Sequence, residues 1–76
     1  MDDDQLLKEF GQRVKSARLS MGLSQEKLAF ECDLDRTYIS SIERGKRNLS
    51  LINIHKLATA LRVNASALVD GKGAGR

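Results

Sequence analysis

Wound at 3.6 residues per turn, the stretch DRTYISSIERGKRN, residues 35 to 48, puts Arg36, Thr37, Ser40, Ser41 and Arg44 within roughly 140° of one another. Ile39, Ile42, Tyr38 and Asp35 fall on the other side, so one face suits a core and the other suits something else. A helix face that only meets water favours Glu, Lys, Gln and Ala, which cost little helix propensity and hydrate well. Here Thr37, Ser40 and Ser41 stand in their place. Short hydroxyl side chains let a backbone approach a surface closely, and the two flanking arginines carry bidentate donors that match a phosphate or a guanine edge. Such a face fits a helix lying in a groove of double-stranded DNA; an ordinary solvated face is the bland alternative.

Other chemistry finds little material in the chain. Its 76 residues contain one histidine, one cysteine, no proline and no tryptophan. A chain of this size buries only about 60 to 65% of its unfolded surface, which leaves no room for a catalytic cleft beside a core. There is no glycine-rich phosphate loop and no carboxylate pair placed for acid–base work, so no enzyme, cofactor or small-molecule substrate is expected. His55 has no partner at ligand spacing and reads as a surface residue rather than a metal ligand. Cys32 excludes an intramolecular disulfide and reads as a small core residue. The opening MDDDQ is not a signal peptide, and no apolar run approaches the ~18 residues of a membrane span, so the expected location is cytoplasmic.

The net charge of +3 says less than its distribution. Residues 1 to 34 hold seven acids and five basic residues, or −2; residues 35 to 48 hold four basic residues and two acids, or +2; the remainder adds +3. The front of the chain is acidic and the back basic.

Positioning the 35 to 48 face requires helices throughout, because no alternating Val/Ile/Thr run offers a strand. The expected fold is all-α: a compact five-helix bundle, with one domain over residues 1 to 70 and a flexible tail, GKGAGR, over 71 to 76. Leu6, Leu7, Phe10, Val14 and Ala17 recur at helical spacing and predict a first helix over Asp4 to Met21, closed by Gly22. Ser24 caps a second, Gln25 to Cys32, with Leu28, Ala29 and Cys32 inward. Lys27 at the third helical position denies it a full capping box. The link Asp33, Leu34, Asp35 is tight enough to demand a residue of positive φ, which Asp33 can supply. Asp35 caps the third helix and Gly45 ends it. Ser50 caps a fourth over Leu51 to Arg62, with Leu51, Ile54, Leu57, Ala58 and Leu61 inward; Asn64 caps a short fifth over Ala65 to Val69.

Two short helices joined by a three-residue turn, with Ala29 at their crossing and Ile39 and Ile42 against it, make a helix-turn-helix. In that arrangement the amino-terminal residues of the second helix, here Arg36 and Thr37, reach base edges in the major groove. GLSQEKLA at 22 to 29, RTYISSIERGKRN at 36 to 48 and SLINIHKLATAL at 50 to 61 resemble the XRE-type regulators that include the phage Cro and CI repressors. The resemblance covers about residues 8 to 69, and within the family DRTYISSIERGKRNLS is most similar to the controller proteins of type II restriction-modification systems. It departs from the usual pattern at Asp33, Lys27 and Leu49, where glycine, an acid and proline are common.

Position by position, the resemblance implies that Arg36, Thr37, Ser40 and Ser41 read bases. It implies that Gln25 contacts a phosphate or positions a base contact, and that Arg44, Lys46, Arg47 and Asn48 grip phosphates. Tyr38, near the edge of the buried face, packs or lines the dimer or DNA rim, as a phosphate contact rather than on a base; ordinary loop charges are the bland alternative for Lys46 and Arg47, whose position just after the third helix favours phosphate. Arg18 and Glu43 match a structural ion pair between the first and third helices. The implied partners are an operator in double-stranded DNA, a second copy of the chain and, through Glu26 or Glu31, RNA polymerase. The dimer surface is expected from the fourth and fifth helices, with Leu49, Ile52, Leu68 and Val69 as its candidates.

Overall fold

A computed structural model describes residues 2 to 70. It contains five helices: α1 (Asp3–Ser20), α2 (Gln25–Cys32), α3 (Arg36–Glu43), α4 (Leu51–Leu61) and α5 (Ala65–Val69). No strand occurs among the described residues. The expected tail, 71 to 76, lies outside them.

Each of the first four helices starts at a residue whose side chain accepts from a backbone N–H two or three positions on, satisfying one of the donors a helix start leaves open. Asp2 accepts from Gln5, Ser24 from Lys27, Asp35 from Thr37 and Ser50 from Asn53. Asn64 has the extended backbone of a cap at the start of α5 but makes no side-chain cap bond. The same four helices end alike. Leu23, Leu34, Lys46 and Val63 each return an N–H to a carbonyl five residues back, around a residue in the left-handed region. That residue is a glycine after α1 and α3 but Asp33 (φ 57°) after α2 and Arg62 (φ 60°) after α4. Arg62 therefore stands outside α4, one residue short of the predicted end. Helix α1 likewise begins and ends one residue before the sequence expectation.

The core is Phe10 and Val14 of α1, Leu28, Ala29 and Cys32 of α2, Ile39 and Ile42 of α3, Leu57, Ala58 and Leu61 of α4, and Leu68 of α5. Leu51, assigned inward by periodicity, and Leu6, one of the residues whose spacing predicts α1, are not in it, and Ile54 only packs against it. Leu51 is 69% exposed and Leu6 is 47% exposed. Both lie in the first two turns of their helices, α4 and α1. A third correction runs the other way: Leu68, a dimer-surface candidate, is 1% exposed and fills the core beneath α5.

Helices α1 and α3 approach most closely at Gly11. A Cβ built there would stand 2.3 Å from the Ile42 carbonyl oxygen and 2.9 Å from that of Glu43. No side chain fits, so glycine lets the backbone of α1 lie directly on the last turn of α3.

Candidate nucleic-acid interface

The amino end of α3 is presented by a short, fixed connection. Ala29, 4% exposed, is buried on α2 as that helix packs against α3, and Asp33 takes the left-handed conformation the three-residue turn requires. Asp35 Oδ2 accepts from the Thr37 N–H at 2.8 Å, which fixes the first turn of α3. Arg36 and Thr37 are exposed there, and Ser40 is half-buried one turn further on.

Ser41 does not share that surface. It is 8% exposed, its carbonyl accepts from the Lys46 N–H, and its hydroxyl lies 3.5 Å from Arg44 Nη2. A helical wheel gives a direction but not the width of the covered arc. Gly11 of α1 lies against the backbone of Ile42 and Glu43, and Ser41 is buried in the same turn. The base-reading expectation for Ser41 is corrected accordingly.

A buried polar network holds α3 to the rest of the molecule. Arg18 of α1 donates from Nε to Glu43 Oε2 at 2.7 Å and from Nη2 to Glu43 Oε1 at 3.1 Å. Its remaining nitrogen, Nη1, donates to the Leu23 carbonyl at 2.7 Å. The side chains of Arg18 and Glu43 are 9% and 4% exposed. Gln25, the first residue of α2, donates from Nε2 to Glu43 Oε1 at 3.1 Å and is half-buried. One carboxylate thus joins α1, α2 and α3. Among the described residues no buried side-chain nitrogen or oxygen lacks a partner.

Since Arg18 neutralises Glu43 inside the protein, the exposed charge of residues 35 to 48 exceeds its formal +2. Arg36, Arg44, Lys46 and Arg47 face solvent against Asp35 alone, four positive charges to one negative. Lys46, Arg47 and Asn48 lie in the loop after α3, on the same stretch of surface as Arg44. Tyr38 is half-buried at its edge. Its Oη accepts from Asn53 Nδ2 of α4 at 3.1 Å, and the Arg47 guanidinium sits 5.3 Å from the ring centroid. Asn53 is a residue the sequence did not single out; its only signal was its place in the first turn of α4.

The remaining candidates do not all lie apart from this surface: Leu49 and Val69 line one cavity with Asn48. Ile52 is 69% exposed on α4, Val69 is exposed at the end of α5, and Leu49 is half-buried between α3 and α4. His55 is exposed, and among the described residues no three His, Cys, Asp or Glu side chains gather as metal ligands. Cys32 is buried, and burial pushes its thiol above its ordinary pKa. No described helix is long and apolar enough to cross a membrane.

Comparison with known proteins agrees with this geometry. The helix-turn-helix model HTH_3 matches residues 14 to 68. The control protein C.BamHI of Bacillus amyloliquefaciens is 63% identical over 62 residues, covering 80% of this chain and 76% of that protein. The crystal structure of the restriction-modification controller protein C.AhdI from Aeromonas hydrophila superposes with a TM-score of 0.80 at 55% identity, over 82% of this chain and 94% of that one. SinR of Bacillus subtilis, described as the master regulator for biofilm formation and solved in complex with DNA, gives a TM-score of 0.78 at 35% identity, over 80% of this chain and 98% of that one. The chain belongs to the HTH_3 helix-turn-helix family, and its likeness runs to the restriction-modification controller proteins within it.

Proposed function

We propose that this protein is a transcriptional regulator that binds a pseudo-palindromic DNA operator as a homodimer and controls the expression of a restriction-modification operon, activating it and limiting its own synthesis. The observation that carries the reading is the exposed amino end of α3, where Arg36 and Thr37 face solvent and Arg36 is one of four exposed positive charges with Arg44, Lys46 and Arg47. A single module of this size offers few base contacts, so two copies of α3 are needed, set about 34 to 36 Å apart in successive major grooves.

In this reading Arg36, Thr37 and Ser40 read base edges. Gln25, Tyr38, Arg44, Lys46, Arg47 and Asn48 address the backbone. Leu49, Ile52 and Val69 supply the apolar surface between protomers. Glu26 and Glu31 are exposed on the outer side of α2 and form the proposed contact to RNA polymerase when the bound dimer activates transcription. A regulator of this kind works in the cytoplasm, where it meets its operator.

Selection of bound duplexes from a random pool tests the reading. A palindromic consensus with half-sites one helical turn apart is the expected result, and Arg36→Ala is expected to relax preference at one position per half-site at a cost of about 1 to 3 kcal/mol. Recovery of no consensus at moderate salt would overturn it.

A further inference from the structure

The loop from Arg44 to Ser50 carries four of the exposed polar residues of the proposed DNA surface, yet the backbone hydrogen bonds that hold it are at its ends: from Arg44 to Ser40, Gly45 to Ile42 and Lys46 to Ser41 at the start, and from the Ile54 N–H to the Ser50 carbonyl at the finish. Beyond Lys46, the ordering contact that Arg47 makes is with the ring of Tyr38, whose centroid lies 5.3 Å from the guanidinium carbon. That ring is itself held at its far end. Asn53, in the first turn of α4, donates from Nδ2 to the tyrosine hydroxyl at 3.1 Å, and its own backbone N–H is taken by Ser50 Oγ at 3.2 Å. The chain of contacts therefore runs from the cap of α4, through an amide and an aromatic ring, to a positive charge in the loop.

The geometry points to Asn53 and Tyr38 as positioning residues for Arg47: α4 fixes the tyrosine by its hydroxyl, and the face of the ring aims the guanidinium at the DNA backbone. This rests on the proposed DNA-binding function and adds to it a device that sets the direction of one phosphate contact. The physical reason is entropic. A free arginine side chain loses rotamer freedom when it is fixed on a ligand, and a ring that already holds the guanidinium removes part of that cost in advance. The ring does so only while it keeps one rotamer. A half-buried tyrosine without its hydroxyl partner has more than one position open to it, so the asparagine decides where the arginine points.

The device has a signature that a merely structural asparagine would lack, since it must act through Arg47. In the free full-length protein, the side-chain protons of Arg47 are expected to show an upfield ring-current displacement in NMR spectra, reduced in Asn53→Ala and absent in Tyr38→Leu. On a duplex of arbitrary sequence, Arg47→Ala is expected to lower the slope of log affinity against log salt by about 0.9, one phosphate contact. Asn53→Ala is expected to weaken binding about two- to fivefold, the scale of an exposed cation–π contact, and to add nothing further in the Arg47→Ala background. Circular dichroism confirms that each variant is folded before binding is compared.

An unchanged Arg47 ring-current displacement in Asn53→Ala overturns the proposal without reference to DNA. So does an Asn53→Ala loss of equal size with and without Arg47. If the wild-type chain binds no duplex, the functional reading fails instead, and the NMR result still decides the positioning.

Discussion

Removing one partner of the Arg18–Glu43 pair tests how the recognition helix is held. With side chains 9% and 4% exposed, the pair is buried, and each group is fully engaged: Arg18 with Glu43 twice and with the Leu23 carbonyl, Glu43 with Arg18 and Gln25. Arg18→Met leaves a carboxylate in the interior with only a glutamine amide to satisfy it, and such breaks cost about 3 to 5 kcal/mol. A domain of this length has a total stability of about 4 to 11 kcal/mol, so the variant falls near the edge of folding. Each kcal/mol moves the melting temperature by about 4 to 8 °C at this size, which makes the expected drop at least about 12 °C. Replacing both groups, Arg18→Met with Glu43→Leu, removes the orphaned charge and is expected to be less damaging than Arg18→Met alone. Urea unfolding followed by circular dichroism measures all three differences from the wild type. A cost below about 1 kcal/mol for Arg18→Met, the scale of an exposed pair, would refute the reasoning. So would a double variant whose loss equals the sum of the single ones.

Other consequences are simpler to check. Ser41→Ala is expected to leave the selected DNA consensus unchanged, because Ser41 is buried, whereas Thr37→Ala is expected to alter it at one position; duplex selection with both variants decides. Gly11→Ala puts a methyl group 2.3 Å from the Ile42 carbonyl, so α1 must move off α3, and a destabilisation of about 1 to 3 kcal/mol or more is expected in urea unfolding. Cys32 is expected to resist alkylation in the native protein and to react at the rate of a free thiol in urea, as followed by mass spectrometry. Burial raises its thiol pKa in the folded state, so its contribution to stability is complete below the ordinary thiol pKa of about 8.5 and is lost as pH rises through the folded value. Unfolding midpoints from pH 7 to 10, compared with Cys32→Ala, measure that loss.

The α2 and α3 boundaries were legible because local chemistry fixes them. Ser24 and Asp35 are strong caps, and the three residues between Cys32 and Arg36 leave no turn without a positive φ, which Asp33 takes. The exposed set Arg36, Thr37 and Arg44 was legible for the same reason: it is set by the phase of one short helix. What periodicity cannot give is which arc of a helix its neighbours cover. Phase alone puts Ser41 outward and Leu51 inward, but Ser41 is 8% exposed and Leu51 69% exposed. Gly11 lets α1 lie directly on the last turn of α3, and a glycine within a helical pattern carries no sign of what lies against it. Leu68, a candidate for a dimer surface expected on α4 and α5, lies instead in the core, where a short helix at the end of a small bundle is held by such a leucine. The contact between Asn53 and Tyr38 joins residues 15 apart across a loop whose path the sequence does not specify.

Why the molecule spends a buried ion pair at this place follows from what apolar packing can and cannot do. Ile39 and Ile42 hold α3 against the core, but burial is non-directional, and two isoleucines on an eight-residue helix permit small rotations about its axis. A rotation of that kind hardly changes the buried area, yet it would carry the outward side chains of Arg36 and Thr37 across a base pair of the proposed operator. The Arg18 guanidinium is planar and grips both oxygens of Glu43, so it fixes the last turn of α3 in angle as well as in distance. Gln25, bonded to the same carboxylate, ties the first residue of α2 to that angle. Stability and orientation are therefore separable in this fold. The double replacement Arg18→Met with Glu43→Leu can recover apolar packing while losing the only contacts in the network that specify rotation. Its expected signature is a folded protein whose affinity for arbitrary duplexes is retained and whose preference for its selected sequence is diminished. A double variant equal to the wild type in both respects would show that the ion pair is not what orients α3.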